Sequence, residues 1–238
     1  METNDNPDAI KNVNISVLKG EIIGIVGQVG TGKTSLFSAI QGELRLSRKD
    51  RTKLETYIAK DGYQPLIFDY DQTQTQSDPR FDEEVPHVYI DGKIAYFSQQ
   101  THIFTRSARE NILFGKEYIP EKYNQIVKMC CLEDDFKIMA QGDQTEIGGK
   151  GVTLSGGQKA RVSLARAIYS DADIYLLDDP LSAVDAHVGK TIWSQAIMGY
   201  LRNRGATVLI ASHQTQFFND CDKVLQIVDG NIQNFDTV

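Results

Sequence analysis

The 238-residue chain has few cysteines, a single tryptophan and no long hydrophobic run. Three cysteines, two of them adjacent, do not form a disulfide framework or a zinc motif, so we expect reduced thiols. No apolar run approaches the ~20 residues of a membrane-spanning helix, and the acidic Met1–Asp8 segment lacks the basic start of a signal peptide. The 25 Lys and Arg residues are outnumbered by 32 Asp and Glu. The net charge of −7 has the wrong sign for a general nucleic-acid binder, so any phosphate ligand must be held locally.

Strand and helix signals alternate along the chain. Short, nearly continuous apolar runs separated by helical segments are typical of a mainly parallel sheet covered on both faces, an α/β fold. The dipeptides Asp91-Gly92 and Asp229-Gly230 lie between β-like runs and predict hairpin turns, hence an antiparallel edge. The pattern predicts strands at 21–26, 93–97, 174–177, 207–211 and 224–228, and helices at 33–41, 107–113, 121–131 and 158–169.

The segment between residues 105 and 169 has helical periodicity and no strand signal. We therefore predict an α/β core formed by 1–98 and 170–238, with an inserted α-helical subdomain over 99–169. The charge-dense and polar stretch at 43–86 predicts a long surface insertion, disordered in part. The sequence leaves open whether this insertion is a tolerated loop or a regulatory or partner-contacting segment.

A glycine-rich segment directly follows the first predicted strand of this series and opens a helix. It matches the phosphate-loop pattern G-x-x-x-x-G-K-[ST] in the context that the pattern requires. The glycines let backbone N–H groups converge on phosphate oxygens at the positive end of the helix. Lys33 would neutralise the β- and γ-phosphates, and the hydroxyl of Thr34 would bind Mg²⁺. The predicted nucleotide-binding residues are Gly27, Gln28, Val29, Gly30, Thr31, Gly32, Lys33, Thr34 and Ser35.

Two adjacent carboxylates follow the buried run at 174–177, and Pro180 stops the strand there. This is a Walker B arrangement, in which a buried strand delivers acidic side chains to the edge of a sheet. Asp178 is suited to bind Mg²⁺ directly or through water, and Asp179 stands where a general base for the attacking water belongs.

The segment Leu154-Ser155-Gly156-Gly157-Gln158, LSGGQ, resembles the signature of ATP-binding cassette (ABC) ATPases. Residues 95–99 are similar to the Q-loop of that family, residues 181–185 to its D-loop, and residues 211–213 to its switch-histidine segment. The stretches 109–115 and 145–190 resemble the first nucleotide-binding domain of C-subfamily transporters, the multidrug-resistance-associated proteins.

This resemblance implies a P-loop NTPase of the ABC type that uses ATP and Mg²⁺. It implies that two such domains close head to tail, with Ser155, Gly156, Gly157 and Gln158 facing the ATP held by the partner domain. Gln99 would sense Mg²⁺ and the attacking water, and His213 would hydrogen-bond the γ-phosphate. With Lys33 and Asp179, these two residues complete the expected catalytic set.

Two departures from the family pattern stand out. Most hydrolysing members have Glu after the Walker B Asp, whereas this chain has Asp179, one methylene shorter. We therefore expect slow hydrolysis at this site, as in first domains of the C subfamily, unless a small shift brings Asp179 to the water. The family's adenine-stacking aromatic is also missing, because the first aromatic residue is Phe37. We expect the chain to begin just inside the domain and to bind ATP more weakly than its parent protein.

The leading hypothesis is the energy-coupling domain of an ABC exporter. Its partners would be a second nucleotide-binding domain and transmembrane domains, at the cytoplasmic face of a membrane. The fragment itself is expected to be soluble, and a monomer or weak dimer. The alternative is a regulatory nucleotide-binding domain that gates a channel or receptor-like partner without significant turnover. A cassette ATPase acting on nucleic acid is disfavoured by the acidic charge.

Overall fold

The computed structural model describes residues 10–11, 13–43, 55–59, 87–149 and 151–237. Most of the predicted insertion at 43–86 lies outside the described residues. Within it the structure describes Glu43 and one strand at 55–59, which the sequence interpretation did not predict.

Strands and helices alternate through the described chain. The strands are β1 (Asn14–Leu18), β2 (Ile22–Val26), β3 (Glu55–Ala59), β4 (His87–Ile90), β5 (Ile94–Phe97), β6 (Arg106–Ser107), β7 (Glu146–Ile147), β8 (Ile174–Asp178), β9 (Thr207–Ala211), β10 (Lys223–Val228) and β11 (Asn231–Thr237). The helices are α1 (Lys33–Ile40), α2 (Ala108–Leu113), α3 (Pro120–Met129), α4 (Glu133–Ile138), α5 (Gly156–Tyr169) and α6 (Ala186–Thr191). The last continues as a π-helical segment at Ile192–Leu201, and short 3₁₀ turns lie at Gly142–Gln144 and Thr215–Asp220.

A six-stranded sheet forms the centre of the molecule, in the order β11-β10-β2-β9-β8-β5. Five of the strands run parallel, and β11 is antiparallel to β10. A second sheet, β1-β3-β4, is parallel throughout. The predicted α/β class with a mainly parallel sheet and an antiparallel edge is confirmed.

The central strands β8 and β9 are mostly hydrophobic because both faces of the sheet are covered. Every residue of β8 and β9 is buried. Alternate side chains enter two separate cores: Val208 and Leu177 pack with α5 and the π-helical segment, whereas Leu209 and Ile25 pack with α1 and β1. All three cysteines are free thiols, as expected.

The region between residues 105 and 169 is mostly helical. Helix α2 begins with a capping box: the Ser107 hydroxyl accepts from the N–H of Glu110, and the Glu110 carboxylate accepts from the N–H of Ser107. The prediction of no strand here is wrong, because β6 and β7 pair antiparallel through Arg106–Ile147 and Ser107–Glu146. Strands of two residues are too short to show a period in the sequence.

The two predicted hairpins have different outcomes. The Asp229-Gly230 hairpin is confirmed, since Val228 pairs with Asn231 across a two-residue turn. The hairpin at Asp91-Gly92 is wrong, because β4 belongs to the second sheet and β5 to the central one. Here the turn is held by Asp173, whose carboxylate accepts from the N–H of Lys93 and whose own N–H donates to the carbonyl of Lys93.

Candidate functional site

The chemical motifs meet at one edge of the central sheet. Strands β2, β9, β8 and β5 run parallel, so their carboxyl ends lie side by side. The phosphate loop follows β2, Ser212 follows β9, Asp179 follows β8 and Ser98 follows β5. In the register of the sheet, Ala211 lies opposite both Ile25 and Asp178.

Glycines give the phosphate loop a backbone that other residues rarely adopt. Gly30 and Gly32 have left-handed φ angles of 84° and 106°, the conformation that forms anion-binding concavities from successive N–H groups. Gly32 is the N-cap of α1 and provides no side-chain cap, which leaves the first N–H groups of that helix available to an anion. Val29, in contrast, is largely exposed.

Thr34 links the loop to the Walker B strand, and Lys33 bonds to the loop itself. The Thr34 hydroxyl donates to Oδ2 of Asp178 at 2.7 Å. The Lys33 ammonium donates to the carbonyls of Gly27 and Gln28 at 2.6 Å and 2.8 Å. The loop thus closes around its own lysine, beside a buried carboxylate.

Burial and neighbouring charges shift the pKa values of Lys33 and Asp178. Burial lowers the pKa of Lys33, and the nearby Asp178 and Asp179 partly offset that effect. Burial also raises the pKa of Asp178, with the neighbouring Asp179 adding to the shift and the Thr34 hydrogen bond and Lys33 opposing it. Both charged groups are therefore incompletely compensated. A bound anion would compensate the charge of Lys33, and a bound cation would compensate that of Asp178.

Asp179 is held in an unusual conformation. It is buried, with a left-handed φ of 55°, and its N–H donates to the carbonyl of Ala211 at 2.8 Å. Its Oδ1 accepts a hydrogen bond from the buried hydroxyl of Ser212 at 3.3 Å. The Gln214 side chain donates to the carbonyl of Leu181 at 3.1 Å. These bonds join the chain on both sides of His213 to the Walker B and D-loop segments.

The signature residues lie at the N-terminus of α5. Ser155 and Gln158 form a reciprocal capping box, at 3.2 Å and 2.9 Å. The Gln158 amide also donates to Asp135 at 2.8 Å, and that carboxylate pairs with the partly buried guanidinium of Arg161 at 2.9 Å. The side chain of Gln158 is thus engaged within the chain.

The two signature glycines have different surroundings. A Cβ at Gly157 would lie 2.7 Å from the carbonyl of Ala183 in the D-loop, so the close approach of these two segments requires glycine. A Cβ at Gly156 would meet no atom of the described residues within 4 Å. One glycine serves packing and the other leaves an open face.

Gln99 and His213 are exposed at the same edge of the sheet as the phosphate loop. The structure brings Lys33, Thr34 and Asp178 together, whereas the hydrogen bonds of the signature residues run to Asp135 and to one another. The sequence interpretation missed Ser212, Gln214 and Asp135. Ser212 has a signal, its place between a strand end and His213; the role of Asp135 has none.

The residues of the loop fit a nucleotide phosphate with Mg²⁺. The left-handed glycines and the uncapped α1 provide N–H groups for phosphate oxygens. The Thr34 hydroxyl and the Asp178 carboxylate, already in contact, are the oxygen ligands that Mg²⁺ prefers.

Comparison with known proteins agrees with this geometry. A family model described as ABC transporter matches residues 10–182. The chain therefore belongs to the ABC transporter family, and the resemblance drawn from its motifs is confirmed. ABC domains are ATPases that bind ATP, typically with Mg²⁺.

The relatives identify the subfamily. The chain is 40% identical over 235 residues, 98% of its length, to ABC transporter C family member 8 of Dictyostelium discoideum. It is 40% identical over 223 residues, 94% of its length, to human ATP-binding cassette sub-family C member 4. It is 36% identical over 230 residues, 96% of its length, to the probable multidrug resistance-associated protein lethal(2)03659 of Drosophila melanogaster. The chain is a nucleotide-binding domain homologous to those of C-subfamily transporters.

The chain spans only a small part of these relatives, 12% of the Dictyostelium protein and 14% of the human and Drosophila ones. None of the helices in the described part of the chain is long and apolar enough to cross a membrane.

Proposed function

We propose that the chain binds ATP with Mg²⁺ and hydrolyses it slowly, as one of the two nucleotide-binding domains of an exporter of the multidrug-resistance-associated type. The observation that carries this proposal is the 2.7 Å hydrogen bond between Thr34 and Asp178. This bond holds the Thr34 hydroxyl of the phosphate loop in contact with the Asp178 carboxylate of the Walker B strand, beside Lys33.

Binding would exchange one set of contacts for another. The Lys33 ammonium leaves the carbonyls of Gly27 and Gln28 and binds the β- and γ-phosphates. Its lowered pKa reflects a burial cost that phosphate charge would relieve. Thr34, Asp178 and Gln99 would hold Mg²⁺, which supplies positive charge to the phosphate oxygens.

Hydrolysis would use groups at the ends of β8 and β9. Asp179 accepts the proton of the attacking water, and His213 donates a hydrogen bond to the γ-phosphate. Asp179 is short and bound to Ser212 at 3.3 Å, which limits its reach toward a water. Slow turnover at this site follows from that restraint.

A second nucleotide-binding domain would complete the assembly head to tail. Ser155 and the N–H groups of Gly156 and Gly157 face the partner's ATP, where the positive end of α5 suits the γ-phosphate. The open space around Gly156 supports this role. Gln158, engaged with Asp135, contributes by fixing the turn. The isolated chain is then a monomer or a weak dimer.

The membrane domains would dock on the helical subdomain, which we assign to residues 99–169, against a core of 1–98 and 170–238. Phe104 and Phe114 are 44% and 60% exposed, and their ring centroids lie 5.3 Å apart under Arg166. An exposed aromatic pair of this kind is suited to a protein contact. The aromatic pair lies in the segment that follows Gln99, so docking there would move Gln99 and change its contact with Mg²⁺ and the nucleotide. This contact would place the domain at the cytoplasmic face of a membrane.

A regulatory function is the second candidate. The restraint on Asp179 favours it, because a site that binds ATP without turning it over can still gate a channel or receptor-like partner. The two functions share the binding step and differ in whether the assembled protein needs turnover.

Titration of the chain with Mg²⁺ and ATP tests the binding step. Lys33→Ala should weaken binding by about tenfold to a hundredfold, because a hydrogen bond to a charged group contributes about 1.5–3 kcal/mol. Lys116→Ala, an exposed lysine after α2, is the matched control and should bind as the parent chain does. Equal binding by all three proteins would refute the proposed site.

A further inference from the structure

The turn of the β10–β11 hairpin lies against the phosphate loop, although about 200 residues separate them. The N–H of Gly230 donates to the carbonyl of Thr31 at 3.1 Å. Asp229 and Gly230 have left-handed φ angles of 47° and 77°, the conformation of a tight two-residue turn. This turn points the Gly230 N–H at the loop.

The strand before the turn makes a second contact. A Cβ at Gly27 would lie 2.6 Å from the carbonyl oxygen of Ile227 and 2.5 Å from Oγ1 of Thr31. The first residue of the loop is therefore closely packed between β10 and Thr31. The Thr31 hydroxyl in turn donates to the carbonyl of Gln28 at 2.9 Å, which closes the loop on itself.

We propose that the Asp229-Gly230 turn is a positioning element of the phosphate loop, and that it sets the affinity of the site for ATP from outside the motif. This inference rests on the proposed function. A loop held in one conformation before the nucleotide arrives binds more tightly, because the cost of ordering it has been met in folding. The contacts to Thr31 and Gly27 hold the middle and the start of the loop.

Backbone substitutions at the turn test the inference. Gly230→Ala strains the left-handed φ, and Gly230→Pro also removes the N–H that Thr31 accepts. Gly205 is a matched control: its φ is also left-handed, at 66°, its N–H also donates to a backbone carbonyl, and it lies before β9.

Each variant of the full chain is titrated with Mg²⁺ and ATP, well below its measured unfolding temperature. We expect the Kd to rise about threefold in Gly230→Ala and about tenfold in Gly230→Pro. The same substitutions at Gly205 should lower the unfolding temperature and leave the Kd within about twofold, because strain alone does not reach the loop. If Gly230→Pro does not fold, the Gly230→Ala and Gly205→Ala pair decides.

Two outcomes overturn the inference: unchanged Kd in the Gly230 variants, or equal weakening in the Gly205 variants. Lys33→Ala, measured in parallel, separates this failure from that of the proposed function. Binding that depends on Lys33 but not on Gly230 refutes the positioning role alone. An unchanged Kd for ATP in Lys33→Ala refutes the proposed phosphate site itself.

Discussion

Replacing Asp179 with glutamate is expected to accelerate ATP hydrolysis by the chain about tenfold to a hundredfold. The present carboxylate is buried, its backbone is anchored to Ala211 at 2.8 Å, and its Oδ1 is bound to Ser212 at 3.3 Å. Its reach is therefore set by a fixed backbone and a restrained side chain.

The magnitude follows from geometry. One more methylene adds about 1.5 Å to the side chain. A general base must lie within about 2.6–3.2 Å of the proton donor, and a misplacement of about 1 Å can cost on the order of a hundredfold in rate. The longer glutamate crosses that gap while keeping the carboxylate.

The Ser212 bond has its own test. Ser212→Ala leaves a buried carboxylate without that donor, which should cost about 1–3 kcal/mol of unfolding free energy. Ser163→Ala is the matched control, because the Ser163 hydroxyl is also buried but has no hydrogen-bond partner among the described residues. Denaturant unfolding of both variants should show a clear loss for the first and little change for the second.

The Asp179→Glu prediction is tested by single-turnover hydrolysis of ATP with Mg²⁺, at several concentrations of the chain, with binding measured on the same samples. Lys33→Ala gives the background. If the parent chain already matches the Asp179→Glu rate and both rates require Lys33, Asp179 is an adequate base and the argument is wrong. Binding without turnover in either protein would favour the regulatory function.

Three further predictions concern other parts of the site. Asp178→Asn should weaken binding of ATP with Mg²⁺ by about tenfold or more. Because burial raises the pKa of Asp178, its ionised form destabilises the folded state, so the variant should have a higher unfolding temperature at neutral pH. In thermal scans this gain should shrink as the pH falls toward the pKa of Asp178. Asp135→Ala removes the carboxylate that pairs with the partly buried Arg161 and accepts from Gln158, and should cost about 1–3 kcal/mol in denaturant unfolding, whereas the exposed neighbour Asp134→Ala should change little. Gly157→Ala should lower the unfolding temperature because its Cβ meets a backbone carbonyl at 2.7 Å, whereas Gly156→Ala, in open space, should not.

The fold was predictable where the signal was local. The fully buried strands β8 and β9 and the capped start of α5 lie within two residues of their predicted positions. The failed hairpin at Asp91-Gly92 shows the limit, since a turn dipeptide does not reveal which sheet each flanking strand joins. β5 pairs with β8, about 80 residues later in the chain, and Asp173 beside β8 accepts from the N–H of Lys93.

The site divides in the same way. Lys33 and Thr34 belong to a contiguous motif whose chemistry fixes its residue types, so the sequence predicts them directly. The contacts of Gln158 with Asp135, and of Gly157 with the D-loop, join segments that are distant in sequence. The sequence marks Gly157 as part of LSGGQ but shows neither contact, because it does not reveal that α4 and the D-loop lie against the start of α5.

The position of β2 in the sheet has a consequence for folding during synthesis of the chain. Its two neighbours, β9 and β10, both belong to the last third of the described chain. At roughly 5–20 residues per second, a ribosome needs roughly 10–40 s to pass from the end of β2 to β9. Throughout that interval both edges of a strand of five apolar residues are unpaired, the state in which strands aggregate. The phosphate loop is thus translated well before the strands β9 and β10 that flank β2, and until they are made β2 must avoid pairing with other strands.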